Sequence, residues 1–299
     1  MKSLYMIVNP HGGLKKGLTI LESIKPIFKN ASVNLIIKKT EYAGHAYDFA
    51  KNLDFKNVDG ICAIGGDGTL YELINGMLKR EDGNKLPVGL ITGGTGNSFM
   101  HDLDCLDPID AAKRIIQFKD RAIDILKVEN ASSSNEIIYS FNIVGWGVAT
   151  DINKRAEKMR WLGEIRYNIA AVIEILKGTQ RIAEFSYDDK PFYEDDFVFI
   201  LGCNTIHTGR AMKAAPKAKL DDGLLDIVIV KKANRFKLLL LFPQLFSGNH
   251  IKSQLVEYKQ IKKFSIKPKL DSDLNIDGEL VGRTPVQVSV EKGLVNVLV

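Results

Sequence analysis

Five consecutive residues, Gly65-Gly66-Asp67-Gly68-Thr69, have the types and spacing best suited to chemistry in this chain. An apolar run at 61–64 enters them, and a helical pattern leaves them at Thr69. Glycines let backbone N–H groups approach phosphate oxygens, and a helix N-terminus adds donors and a favourable dipole. Asp67 is out of place in a plain anion loop, where it would repel phosphate. It makes sense if the carboxylate holds Mg²⁺ or takes a proton from an attacking hydroxyl. The loop therefore points to phosphoryl transfer; the plainer alternative is a tight strand-to-helix turn with a surface Asp. Thr69 and Glu72 have capping-box spacing, and Leu70, Leu73, Ile74, Met77 and Leu78 form a stripe for burial.

Two further glycine-rich segments follow apolar runs. Thr92-Gly93-Gly94-Thr95-Gly96-Asn97 comes after 88–91 and is expected to open a helix with Asn97 as its N-cap. Asn9-Pro10-His11-Gly12-Gly13 ends the first apolar run. Together the three outline a nucleotide cleft. There is no G-x-x-x-x-G-K-S/T loop and no G-x-G-x-x-G fingerprint, which excludes a P-loop ATPase or a dinucleotide dehydrogenase by motif.

These loops need elements to place them. Strands are expected at 4–8, 33–37, 60–64 and 88–91. Between them fall a helix with Leu14, Leu18, Leu21, Lys25 and Phe28 on one face, a helix over about 44–53, and a helix from Thr69. Strands alternating with helices imply a parallel sheet, and ligands of such sheets sit at the carboxyl ends of strands. After Asp124 the texture changes. A hairpin is expected over 125–128 and 137–144 with a polar turn at 130–135, then one helix over about 152–177, then short apolar runs at 197–203, 225–230, 264–266 and 286–290. The fold class is therefore α/β in two domains. Residues 1–125 form an α/β nucleotide-binding domain with a parallel sheet, and 126–291 a β-rich, β-sandwich-like domain. The apolar stretch 295–299 is expected to pair in a sheet, with 292–299 returning to the first domain.

Composition restricts the setting. Of 299 residues 45% are hydrophobic and 26% charged, which is ordinary for a folded soluble protein and argues against disorder. A net charge of +5 suits polyphosphate ligands or an anionic membrane surface, and a charge this small more often serves solubility alone. Cys62, Cys105 and Cys203 are scattered, with no CxxC pair, which argues against a disulfide framework or a zinc site and for a reducing compartment. The apolar 1–8 segment stops at Asn9-Pro10 and reads as a strand, not a signal peptide. The longest apolar run, 238–243 with Leu245 and Phe246 beyond, falls short of the ~20 residues that span a bilayer. A cytoplasmic protein follows. The stretch 236–246 reads first as buried core; the alternative is a flap that docks on membrane or covers an acyl chain, with Arg235 and Lys237 beside it. His101, His207 and His250 show no metal-ligand spacing, and His45 reads as structural.

The order Asn9-Pro10-x-Gly12-Gly13, Thr40 with His45-Ala46, Gly65-Gly66-Asp67-Gly68-Thr69, Gly94-Thr95-Gly96-Asn97 and Asp277-Gly278-Glu279 resembles the diacylglycerol kinase catalytic-domain family, which includes sphingosine kinases and bacterial lipid kinases. The resemblance covers nearly the whole chain. It implies an α/β nucleotide domain, a β-rich second domain, and ATP with Mg²⁺ in the cleft between them. The ATP contacts it implies are Asn9, Pro10, Gly12, Gly13, Thr40, Gly65, Gly66, Asp67, Gly68, Thr69, Gly94, Thr95, Gly96 and Asn97. Trp146-Gly147-Val148-Ala149-Thr150-Asp151, followed by 160–166, resembles the sphingosine kinase segment. That match implies that Asp151 binds the lipid head, and that Arg160 and Arg166 face the ATP phosphates; a helix cap and a solvated basic face are the plainer reading. Ser98 stands where the bacterial diacylglycerol kinases carry Asp, so an acidic network joining that position to Asp67 and Asp124 lacks a member, which weighs against a pure diacylglycerol substrate.

The segment 219–226 reads on its own as a turn before a strand, and the resemblance makes it a structural Mg²⁺ loop through the carbonyls of Lys219 and Leu224 and the side chain of Asp222. Asp277-Gly278-Glu279 also reads as a turn, and the resemblance makes Glu279 catalytic alongside Asp67. The expected activity is ATP-dependent phosphorylation of a sphingoid base or diacylglycerol. A NAD kinase-like enzyme and a non-catalytic lipid or nucleotide sensor are the rivals. The expected partners are a lipid and a transient membrane surface, not nucleic acid, with a homodimer left open.

Overall fold

In the computed structural model the chain divides into two units, Met1–Asp124 with Gly293–Val299, and Ile125–Thr208 with Met212–Lys292. The structure describes all residues except 13–14, 95, 131–136 and 210–211, and only the backbone of Asn130, Arg160 and Glu164. The first unit is α/β, with strands β1 (Ser3–Val8), β2 (Asn34–Lys39), β3 (Gly60–Gly65) and β4 (Val88–Thr92). Helices α1 (Gly17–Asn30), α2 (His45–Asn52) and α3 (Asp67–Leu78) separate these strands, and α4 (Ser98–Asp102) and α5 (Pro108–Ile115) follow. The strand order is β2-β1-β3-β4, all parallel. Met6, Ile7, Val8 and residues 61–64 are fully buried. Both faces of the central strands are covered, which is why these runs are continuously apolar instead of alternating.

Local details depart from the sequence expectation. In α1 the buried stripe is Gly17, Leu21, Ile24 and Phe28, while Leu18 is 41% exposed and Leu14 lies outside the described residues. Gly17 occupies the stripe because a Cβ there would sit 2.4 Å from the carbonyl oxygen of Asn9. Helix α3 begins at Asp67, with Gly66 in the N-cap position, and not at Thr69. The capping box between Thr69 and Glu72 does not form. Glu72 instead accepts the N–H groups of Gly44 at 2.9 Å and Ala46 at 3.1 Å, so it caps the neighbouring α2. Asn97 precedes α4 in a left-handed conformation (φ 47°) and makes no side-chain cap; its Nδ2 donates to the carbonyl of Gly94.

The second unit is β-rich. Strands β5 (Asp120–Asn130) and β6 (Ile137–Ser140) pair antiparallel, and most of the expected turn 130–135 lies outside the described residues. β7 (Ile143–Gly147) leads into α6 (Val148–Lys158). The long helix expected over 152–177 is broken. A 3₁₀ segment, Arg160–Ile165, intervenes before α7 (Arg166–Lys177), because Gly163 takes φ 59° and ψ −130°, outside any helix. The strands β8 (Ile182–Tyr187) and β9 (Tyr193–Cys203) follow, then the two-residue pair β10 (His207–Thr208) and β11 (Met212–Lys213). The chain continues through β12 (Leu225–Lys231), α8 (Arg235–Leu241), α9 (Gln244–Ser247), β13 (Val256–Ile261), β14 (Lys263–Pro268), β15 (Asn275–Ile276) and β16 (Val286–Leu298).

The start of β9 pairs with β8 and its second half lies between β12 and β7, all antiparallel. Trp146, Phe185, Phe197 and Phe264 are buried here, with Phe185 against Phe197 and Phe264. The end of β16 belongs to the first unit, where Val297 pairs in parallel with Val88 of β4. The stretch 236–246 is core on one side only. Leu238 and Leu241 are buried, whereas Phe236 and Leu240 are each 73% exposed, because a 3.6-residue period puts them on opposite sides of α8. Among the described residues no helix is long and apolar enough to cross a membrane.

Candidate active site

In the first unit the ends of β1, β3 and β4 bring three loops side by side. Gly93 donates its N–H to the carbonyl of Gly65 at 2.7 Å. A Cβ on Gly94 would lie 2.6 Å from the Cα of Gly66, and one on Gly66 would lie 3.1 Å from the Cα of Gly94. These two glycines are therefore required by the contact of loop on loop, whatever binds there. Asn9 closes the third side: its Nδ2 donates to Thr69 Oγ1 at 3.3 Å, and its Oδ1 accepts the N–H of His11 at 3.0 Å. Gly12 and Pro10 belong to the same loop. Thr40 at the end of β2 is buried and donates its N–H to Val8, the last residue of β1. Gly13 and Thr95 lie outside the described residues.

Asp67 is the joint of the arrangement. Its Oδ2 accepts the N–H of Ser98 at 2.8 Å and its Oδ1 that of Phe99 at 3.3 Å, both in the first turn of α4. It thus supplies the cap that Asn97, turned back by its left-handed backbone, does not. Burial raises the Asp67 carboxyl above its ordinary value, and those two N–H groups pull it the other way. The N–H groups of Asp67 and Gly68 open α3 and have no acceptor within their own helix. The buried Oδ1 of Asn97 has no hydrogen-bond partner. An oxygen that lacks a donor, beside a carboxylate and helix-terminal N–H groups, fits a hard cation held with an oxyanion.

The second unit carries the remaining residues. Asp277 and Gly278 take φ of 53° and 93°, so the turn before Glu279 is left-handed throughout, a conformation suited to a tight hairpin. Asp277 is buried. Its carboxylate accepts Ser140 Oγ at 2.6 Å and the N–H groups of Phe141, Asn142 and Ile143 at 2.9 to 3.0 Å. Burial pushes this carboxyl up to about 7 against those four donors. Asp277 therefore anchors the β6–β7 turn, and Glu279 is the exposed carboxylate of the pair. Asn153 of α6 donates to the carbonyl of Gly278 at 2.6 Å, tying the helix of Asp151 to this turn.

Asp151 is paired with Arg181. Arg166 lies 3.4 Å from Glu157 and stacks its guanidinium on Tyr167, whereas the side chain of Arg160 lies outside the described residues. At the other proposed cation loop, Asp222 Oδ1 accepts the N–H of Leu224 at 3.0 Å, forming an Asx turn, and Lys219 is exposed. Among the described residues no three His, Cys, Asp or Glu side chains converge on a metal position. Arg181, Asn153 and Ser140 belong to none of the motifs above. Each acts through a partner 30 or more positions away, a relation that leaves no local pattern.

Comparison with known proteins covers the chain. A family model described as "Diacylglycerol kinase catalytic domain" matches residues 3–128, and one described as "YegS C-terminal NAD kinase beta sandwich-like domain" matches 142–299. Sphingosine kinase 1 of Arabidopsis thaliana is 29% identical over 98% of this chain and 74% of that protein. Diacylglycerol kinase of Bacillus subtilis is 30% identical over 95% of this chain and 92% of that protein. The crystal structure of a diacylglycerol kinase from Bacillus anthracis superposes with a TM-score of 0.78 at 26% identity, covering 99% of this chain and 96% of that one.

Proposed function

We propose, from the premise that the chain belongs to the diacylglycerol kinase catalytic-domain family of lipid kinases, that it transfers the γ-phosphate of ATP to the hydroxyl of a sphingoid base or a diacylglycerol. One observation carries the reading: a half-buried carboxylate, Asp67, sits between two glycine loops at the N-termini of α3 and α4. An anion pocket has no use for such a group, and phosphoryl transfer does.

The roles follow from the chemistry each residue offers. The loops of Asn9, Gly65 to Thr69 and Gly94 to Asn97 bind and orient the nucleotide phosphates through backbone N–H groups. The Asn97 oxygen, with Asp67 where Glu279 is the base, would hold Mg²⁺, and Lys219, Asp222 and Leu224 a structural ion. Bound Mg²⁺ supplies neutralising charge to the phosphates. Asp67 or Glu279 accepts the proton of the lipid hydroxyl as its oxygen attacks phosphorus. Arg160 or Arg166 offsets charge on the transferring group. Asp151 reads the lipid head group in this proposal.

The test is to incubate the protein with γ-labelled ATP and a panel of sphingosine, diacylglycerol, NAD and a total lipid extract. Label in a lipid is the expected result. Label in NAD alone would make it a NAD kinase, and bound ATP with no labelled product would make it a sensor.

A further inference from the structure

Beside α6 lies a groove of about 320 Å³ whose charged lining includes Asp151, Lys154, Arg155, Lys158, Glu174 and Lys177. Its two carboxylates are both taken. Glu174 is nearly fully buried and accepts from Arg155 and from Lys177, the latter at 3.1 Å. Asp151 accepts from Nη2 of Arg181. That guanidinium is held before any ligand arrives: its Nη1 donates to the carbonyl of Thr179 at 3.0 Å, and its backbone N–H goes to Asp196 Oδ1 at 3.0 Å. Only 12% of the Arg181 side chain is exposed, against 33% for Asp151. Among the described residues the lining thus presents four cationic side chains and no unpaired carboxylate. Lys154 is also matched from outside the lining, by Asp273 at 2.6 Å.

An ammonium head group entering this groove meets a carboxylate already neutralised by a guanidinium that the fold has ordered, and meets it among like charges. The internal partner has paid little entropy and makes a directional charged hydrogen bond, so it wins against a mobile ligand of the same charge. We propose that Arg181 is a specificity-determining residue: it serves as the built-in counter-cation of Asp151 and excludes amine-bearing lipids, leaving the groove to acceptors whose head group is an uncharged alcohol. This rests on the lipid-kinase reading and narrows it, setting the electrostatics of the groove against the sphingosine kinase likeness of the surrounding segment.

The experiment uses the full chain with γ-labelled ATP and mixed micelles carrying either dioctanoylglycerol or sphingosine. The wild type is expected to favour dioctanoylglycerol in kcat/KM. Arg181→Met frees the Asp151 carboxylate, and the ratio of kcat/KM for sphingosine to that for dioctanoylglycerol should rise about tenfold, with the fall in KM confined to sphingosine and not seen for ATP. Arg181→Lys keeps a cation and should keep the exclusion, which a merely structural role would not predict. Arg181→Gln carries the same expectation as Met should that variant fail to fold. A wild type that labels sphingosine at least as well as dioctanoylglycerol overturns the proposal while the lipid-kinase reading stands. So does a ratio unchanged in the neutral variants. Absence of label in both lipids overturns both readings.

Discussion

Asp67 and Ser98 meet across two loops: a carboxylate oxygen from the first residue of α3 accepts the first backbone N–H of α4 at 2.8 Å. Two strand ends are thereby locked to one another by the residue with the strongest case for chemistry. The same carboxylate takes the N–H of Phe99, so its orientation is set by the backbone and not by a flexible partner.

Asp67→Asn keeps one oxygen for these N–H groups but turns an N–H₂ toward the other. Turnover is expected to fall about 10³-fold, as for loss of an acid–base or charge-stabilising group. Stability should fall by about 1–3 kcal/mol, with the fold retained. Assay with labelled ATP beside a urea titration reads both. Near-normal turnover would remove Asp67 from the mechanism.

The raised Asp67 carboxyl also sets a pH dependence. The native state holds this proton over a range, beginning near the ordinary value of about 4, in which the unfolded chain has already released it. This group's contribution to stability therefore declines as pH rises through its folded midpoint. Action as a base requires the ionised form, so kcat/KM should rise across the same window. A pH–rate profile whose acid limb lies above pH 4 is expected; a limb at or below 4 contradicts the assignment.

Asp277 and Glu279 occupy one turn and should separate cleanly. Asp277→Ala strips the acceptor from Ser140 and three buried N–H groups, at an expected cost of about 3–5 kcal/mol in urea unfolding. Glu279→Gln lies on the exposed side and should leave stability within about 0.5 kcal/mol. If Glu279 is the base, turnover in that variant drops by about 10²-fold or more.

Gly94 and Gly96 separate loop packing from ligand approach. Gly94→Ala places a methyl 2.6 Å from Gly66 and 3.1 Å from Asn97 Oδ1, forcing the loops apart. About 1–3 kcal/mol of destabilisation and a raised KM for ATP are expected. At Gly96 the new methyl meets, among the described residues, only Asp67 Oδ2 at 3.5 Å, an ordinary contact. Gly96→Ala should therefore melt like the wild type; a raised KM for ATP in that variant would mean that the backbone there lies against the nucleotide.

Much of this was legible in the linear chain, for local reasons. Strand and helix periodicity in the first unit depends on near neighbours, so β1, β3 and β4 lie where apolar runs put them, with glycines at their ends. The order of glycine loops likewise identifies the family, because each motif is contiguous. Local rules failed where a residue had two partners to choose from. Thr69 and Glu72 had capping-box spacing, yet Glu72 is used by α2, because packed helices offered it two unpaired N–H groups at once. Asn97 had the right type for a cap, but its positive φ aimed the side chain elsewhere.

What the chain by itself determined is the parallel nucleotide sheet, its glycine loops and the presence of a carboxylate within one of them. Tertiary structure alone decided what each charged group faces. Asp277 is buried on Ser140 across 137 positions, and Asp151 is matched by Arg181 across 30. The physical reason is one of range. Backbone preference is set within a few residues, whereas a carboxylate's partner, and hence its proton and its specificity, is chosen by whichever donor the folded chain carries to within about 3 Å.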